Sequence, residues 1–151
     1  MSPVCTDSRI TPIGTVSISE REGRIVSLRI GPSQEHSESR TLDRAFLQLN
    51  EYLEGRRKSF DLETEPDGTR FQKDVWRALA EIPYGTTVSY SDIAVASGHP
   101  GADRAVGNAV GRNPIPIIIP CHRVIRSDGS IGGFALGQDL KIRLLRTEGA
   151  L

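Results

Sequence analysis

Between Ile13 and Glu20 apolar and polar side chains alternate, with Val16 and Ile18 set among Thr15, Ser17 and Ser19, and the alternation returns from Arg24 to Ile30. A repeat of two belongs to a strand with one covered face, so the spacing predicts two strands, the second turning Val26, Leu28 and Ile30 to one side and Ser27 and Arg29 to the other. Glu20-Arg21-Glu22-Gly23 between them reads as a hairpin loop, with glycine for the positive backbone angle. The repeat then changes. Leu42, Ala45, Phe46, Leu49 and Leu53 recur at helical spacing up to Gly55, which predicts an amphipathic helix over 41–54. Arg56-Arg57-Lys58 behind it suits the helix dipole and solvent. Phe60 and Leu62 suggest one more strand, and Pro66 with Asp67-Gly68 marks a linker.

Beyond the linker the pattern is helical and punctuated. Thr69 and Gln72 form a capping-box pair ahead of Phe71, Val75, Trp76 and Leu79, with Trp76 as core. Ser89 and Asp92 repeat the pattern before a short helix over 90–97, and a His99-Pro100-Gly101 turn leads to another over 102–110. Two short helices joined in this way predict a helix-turn-helix. The second is nearly bare, with Ala102, Ala105, Gly107, Ala109 and Gly111, and Arg104 is its one cation. A helix that reads the major groove carries long polar side chains, whereas the minor groove is only about 6 Å wide and suits a bare helix with one arginine. The same small residues would also serve close packing within the domain. Asn113-Pro114 breaks the helix, and an apolar run from Ile115 to Ile119 leads to Pro120-Cys121-His122-Arg123, with Val124 and Ile125 continuing as strand. A glycine-rich loop follows from Gly132 to Gly137, then a last helix with Leu140, Leu144 and Leu145 that ends at Glu148-Gly149. The fold class is therefore α+β: a small N-terminal α+β domain over 1–66, an antiparallel sheet plus a helix, then a mainly helical C-terminal domain over 67–151.

Composition adds exclusions. With 151 residues, 37% hydrophobic and 25% charged, the chain has ordinary globular composition and enough length for a real core. Nineteen basic residues balance 19 acidic ones, which argues against a general nucleic-acid glue. Cys5, in a segment expected to fray, and Cys121 are far apart and form no CxxC pair, so neither a disulfide framework nor a zinc cluster is expected. No apolar stretch approaches the roughly 20 residues that span a bilayer, and the first residues have no signal-peptide pattern. The expectation is a cytoplasmic protein with no membrane association.

Cys121 beside His122 is the candidate chemistry. A lone cysteine is most often a small core hydrophobe, but a thiol paired with an imidazole can be activated as a nucleophile. Around it, Pro120-Cys121-His122-Arg123-Val124 resembles the motif of the O6-alkylguanine-DNA alkyltransferase family, the methylated-DNA–protein-cysteine methyltransferases. Ser89-Tyr90, Arg104-Ala105-Val106-Gly107, Asn113-Pro114, the loop over 132–137 and Glu148-Gly149 extend the resemblance in family order across 69–151.

The resemblance implies direct repair: irreversible transfer of the alkyl group of O6-alkylguanine, and of O4-alkylthymine as a further candidate, from a flipped nucleotide in duplex DNA to Cys121, once per molecule. It implies that His122 takes the thiol proton through a water, that Glu148 orients the imidazole, and that Asn113 holds the turn before the acceptor. Tyr90 would assist rotation of the nucleotide and donate to the base, the carbonyls of Cys121 and Val124 would read the guanine amino group, and the Ala135 amide would face O6. Arg104 would enter the duplex from the minor groove, with Ala102, Ala105 and Gly107 along the same helix. No cofactor or metal is implied, and the protein is expected as a monomer in solution, with cooperative assembly on DNA left open. Phe134, Ala135 and Leu136 depart from the tyrosine, serine and glycine common in the family's pocket loop, which bears on substrate size and rate. The alternative on the same fold is a non-catalytic lesion sensor that grips the flipped base and recruits other repair proteins; such proteins lack the acceptor cysteine. A cysteine hydrolase is weaker, because neighbouring side chains on a strand point to opposite faces unless the backbone bends. A zinc site is weaker still, with only His36, His99 and His122 to join two distant cysteines.

Overall fold

The structure, a computed structural model, describes residues 2–151. The chain divides into two compact units, the first ending at Asp67 and the second beginning at Gly68.

In the first unit β1 (Cys5–Thr11), β2 (Gly14–Arg21) and β3 (Arg24–Ile30) form an antiparallel meander with β2 in the middle. The β2–β3 loop holds Glu22 at φ 53° and Gly23 at φ 81°, the pair of positive angles that matches a two-residue turn to the twist of its strands. Helix α1 (Arg40–Leu53) starts where the Ser39 side chain accepts the Leu42 N–H. It buries Leu42, Ala45, Phe46, Leu49 and Tyr52, and the sheet buries Val16, Ile18, Ile25 and Leu28.

Three expectations are corrected here. The segment at Cys5 is not frayed: it is edge strand β1, paired with β2 along its whole length. The covered side of β3 is set by Ile25 and Leu28 rather than Val26, Leu28 and Ile30, because a bulge at Ser19/Glu20 places Ser27 opposite Ser19 and Ile25 opposite Glu20 and so shifts the alternation. Phe60 and Leu62 form no strand. The Gln48 side chain satisfies the Asp61 N–H at 2.8 Å, Phe60 packs on Tyr52 at 5.3 Å between ring centroids, and pairing is limited to one bridge from Thr64 to Ile25.

In the second unit α2 (Arg70–Ala80) and α3 (Tyr90–Ala96) both open with the expected capping boxes, at Thr69/Gln72 and Ser89/Asp92. Trp76 is core, and its indole N–H donates to the Ala109 carbonyl of α4 (Asp103–Gly111) at 2.8 Å. Gly68 admits that indole: a Cβ there would lie 2.5 Å from the ring. Helices α3 and α4, joined by a short turn, form the helix-turn-helix. Two-residue strands β4 (Val88–Ser89) and β5 (Val124–Ile125) pair in parallel, Val88 with Val124 and Ser89 with Ile125. That pairing brings Tyr90, the first residue of α3, to the segment that carries Cys121. Helix α5 (Gln138–Thr147) follows the glycine-rich loop.

The apolar run before Cys121 is turned rather than extended. Pro116 and Pro120 have no N–H to donate, the Ile119 N–H reaches the Ile115 carbonyl at 2.9 Å, and Ile117 stands at φ 75°. That conformation costs a β-branched residue about 1–3 kcal/mol and persists only where its surroundings fix it. Ile115, Ile117 and Ile119 are all buried and supply that fixation.

Candidate active site

Pro120 lies at φ −80°, ψ 64°, and the Cys121 N–H reaches back to the Ile119 carbonyl at 2.8 Å, an inverse γ-turn. Cys121, His122 and Arg123 then form a single 3₁₀ turn before β5. The expected strand geometry, with Cys121 and His122 on opposite faces, therefore does not apply, because the γ-turn bends the backbone one residue ahead of the thiol. Asn113 fastens this bend. Its amide group donates to the Ile119 carbonyl at 2.9 Å, and its carbonyl oxygen accepts the Ile115 N–H at 3.0 Å. The Asn113 side chain also favours the ionised form of the Cys121 thiol, beyond the hinge role expected for it.

Cys121 is buried and unpaired with Cys5. Burial pushes its pKa up to about 11, against the Asn113 side chain and the nearby Lys141 charge, which favour the thiolate. At neutral pH the group is a thiol, and it needs a base to react.

His122 is fully buried, and its Nε2–H donates to Glu148 Oε2 at 2.8 Å. This leaves Nδ1 as the basic nitrogen of the neutral ring. Burial lowers the imidazole pKa more than Glu148 raises it, so the ring is neutral at physiological pH. Glu148 caps α5 and is itself held on both oxygens: Arg123 Nε donates at 2.9 Å to Oε1, Arg123 Nη2 at 2.9 Å to Oε2, and the Gly85 N–H at 3.0 Å to Oε1. Arg123 also donates to the Ile82 carbonyl at 2.6 Å. The buried guanidinium balances the carboxylate charge, so Glu148 fixes the ring without forcing a proton onto it.

A cavity of about 270 Å³ opens over Cys121, lined by Tyr90, Gly107, Val110, Gly111, Gly133, Phe134 and Ala135. This lies near the small end of ligand pockets. Tyr90 keeps its proton, since burial raises its pKa, and Phe134 meets the His122 ring edge-on at 6.3 Å. The structure thus brings Cys121, Tyr90, Gly107, Phe134 and Ala135 to one cavity, with His122, Glu148 and Asn113 behind it. Val124 is buried beneath it, its carbonyl accepting from Lys141 at 2.7 Å, and the Cys121 carbonyl accepts the Val124 N–H. Arg104 and Ala105 stand exposed on α4, with Ala102 partly covered at its N-terminus.

Two residues of this neighbourhood escaped sequence reasoning. Arg123 lay inside the motif but was given no partner, and nothing local announces that its charge is buried. Lys141 had a visible signal: positions 141, 144, 145 and 148 share one helical stripe, and a lysine there stands among buried leucines.

Residues 70–150 match the family model described as 6-O-methylguanine DNA methyltransferase, DNA binding domain, and residues 10–66 match the model of its ribonuclease-like domain. A methylated-DNA–protein-cysteine methyltransferase of Methanosarcina barkeri is 59% identical over 101 residues, 67% of this chain and 64% of that relative, so the match spans just under two thirds of its length. The constitutive Bacillus subtilis protein of that name is 43% identical, with 91% of each chain covered. Among solved structures, the Mycobacterium tuberculosis protein in complex with DNA superimposes with a TM-score of 0.87 at 40% identity, covering 96% of this chain and 92% of that one. With both units accounted for in order and the acceptor motif in place, the chain belongs to the 6-O-methylguanine DNA methyltransferase family.

Proposed function

We propose that this protein repairs alkylated DNA directly, moving the alkyl group from O6 of a flipped guanine to Sγ of Cys121. The observation that carries this reading is a buried thiol on the floor of a base-sized cavity, beside a neutral histidine held by a charge-balanced carboxylate. The helix-turn-helix binds the duplex through the minor groove, with Ala102, Ala105 and Gly107 close to the DNA. Arg104 fills the place of the extruded nucleotide, offsetting part of the few kcal/mol that unstacking costs. Tyr90 and the carbonyls of Cys121 and Val124 orient the base, and Phe134 and the Ala135 amide close over O6.

The thiol proton passes through a water to Nδ1 of His122. The thiolate attacks the alkyl carbon, the C–S bond forms as the C–O bond breaks, and O6 leaves with the bonding electron pair. Tyr90 supplies the departing guanine with a proton and recovers one from the imidazolium through solvent. The product is guanine and a thioether, so each molecule acts once, as a monomer inside the cell. The same attack is open to O4-alkylthymine.

A duplex with a single O6-methylguanine tests this. The peptide that bears Cys121 should gain one methyl group, and none from undamaged duplex; an unmodified peptide with tight lesion binding would point to the sensor instead. Arg104→Ala should slow reaction with the duplex far more than with free O6-methylguanine, and equal losses would remove the arginine from its role.

A further inference from the structure

The mechanism leaves one buried charge unused. Lys141 has no solvent exposure, and its Nζ donates to three main-chain carbonyls: Val124 on β5 at 2.7 Å, Ile131 at 2.6 Å and Gly133 at 3.1 Å. An ammonium group has three protons, and all three are taken. Lys141 therefore has none to give a substrate, and its geometry is that of a fastening.

What it fastens is the front of the pocket. Ile131 and Gly133 lead directly into Phe134 and Ala135, which line the cavity over Cys121, and Val124 follows the acceptor turn. We propose that Lys141 is a positioning residue for alkyl transfer: its ammonium group clasps the loop over 131–135 to β5, and its charge keeps that loop closed on the base. This rests on the alkyl-transfer reading and adds the element that gives the pocket its wall.

The clasp works only when charged. A neutral amine has two protons and a lone pair, and against three carbonyl oxygens the lone pair repels one of them. The groups facing Nζ are Cys121 on the 3₁₀ turn, Arg126 beyond β5, the ring of His122 behind the turn and, across Gly132, the Tyr90 hydroxyl. Burial is the main cause that brings the Lys141 pKa down to about 8, with Arg126 acting in the same direction and Cys121 against it. The fastening then releases just above neutrality, whereas Cys121 ionises only near 11 and by itself makes the reaction faster as pH rises.

The test is the single-turnover rate of methyl gain on Cys121 from an O6-methylguanine duplex across this pH range, with hydrogen exchange over 131–137 followed in parallel. In the wild type the rate should fall above about pH 8 while exchange over 131–137 rises and the cores of both units stay protected. Lys141→Met should react about a hundredfold more slowly, the loss that a misplaced wall produces. It should exchange freely over 131–137 at every pH and bind undamaged duplex as the wild type does. Lys141→Arg, which keeps its charge at all these pH values, should lack the alkaline fall. A wild-type rate that climbs steadily through pH 8, or protection over 131–137 that is unchanged in Lys141→Met, overturns the clasp. If the wild type itself transfers no methyl the repair reading fails, and the exchange measurement still decides the clasp.

Discussion

The two cysteines stand in units that treat polar groups in opposite ways. Around Cys5 the buried polar side chains stabilise turns: Thr11 bonds the Gly14 carbonyl, Ser17 the Gly31 carbonyl, and Glu20 the Gly23 N–H. Apart from the Glu20 carboxylate, the charges there pair toward the surface, as in Arg24 with Glu63 and Glu65 or Arg44 with Asp61. Around Cys121 the charges are withdrawn from water, with Arg123, Lys141 and Glu148 all buried beside His122. Buried ion pairs are weak contributors to stability compared with apolar packing, because desolvation offsets most of their attraction. Three such charges around a thiol mark a candidate functional site, and both cysteines having raised pKa values shows that the thiol alone does not distinguish the sites.

The contrast can be broken by substitution. Glu148→Ala leaves the Arg123 guanidinium buried without its carboxylate and should cost about 3–5 kcal/mol in urea denaturation. A loss below 1 kcal/mol would mean that the network is wet and its burial irrelevant. Gly68→Ala, in the same unit but remote from the charges, forces a Cβ against Trp76 and should cost about 1–3 kcal/mol by overpacking, leaving the methyl-transfer rate intact in the folded fraction. Acid should act next. His122 has a lowered folded pKa, so as pH drops below 6.5 the unfolded chain takes up the proton first, and stability that is whole above that value is lost on the acid side. His122→Gln, which keeps a donor for Glu148 and does not titrate, should show a shallower decline of the urea midpoint; parallel curves would assign the acid loss to other groups. Smallest of all, Arg24→Ala removes only exposed pairs and should leave the midpoint where it is. A large shift there would erase the distinction between the units.

Much of this was legible in the chain, and the exceptions share a cause. The caps at Thr69 and Ser89 are local chemistry, complete within four residues, and so could be read directly. Strand β1 could not, because Cys5-Thr6-Asp7-Ser8-Arg9-Ile10-Thr11 is polar on both faces and is held by its pairing with β2 rather than by an apolar stripe. The bulge at Val26 of β3 is likewise a property of two strands together. At the site, Cys121, His122, Asn113 and Glu148 were nominated by motif, but the bend that presents the thiol depends on Ile117 and on the Asn113 side chain spanning the turn. Lys141 was missed although its place on the buried stripe was readable, since its partners are main-chain carbonyls and leave no mark in the sequence.

The central claim is that the buried setting makes Cys121, and not Cys5, a single-use acceptor. Supplying excess duplex that carries an isotopically labelled O6-methyl group and counting label per protein molecule tests it. Transfer should stop at one equivalent, all of it on Cys121, with none in Cys121→Ser. Label on Cys5, or transfer that continues past one equivalent, would contradict it.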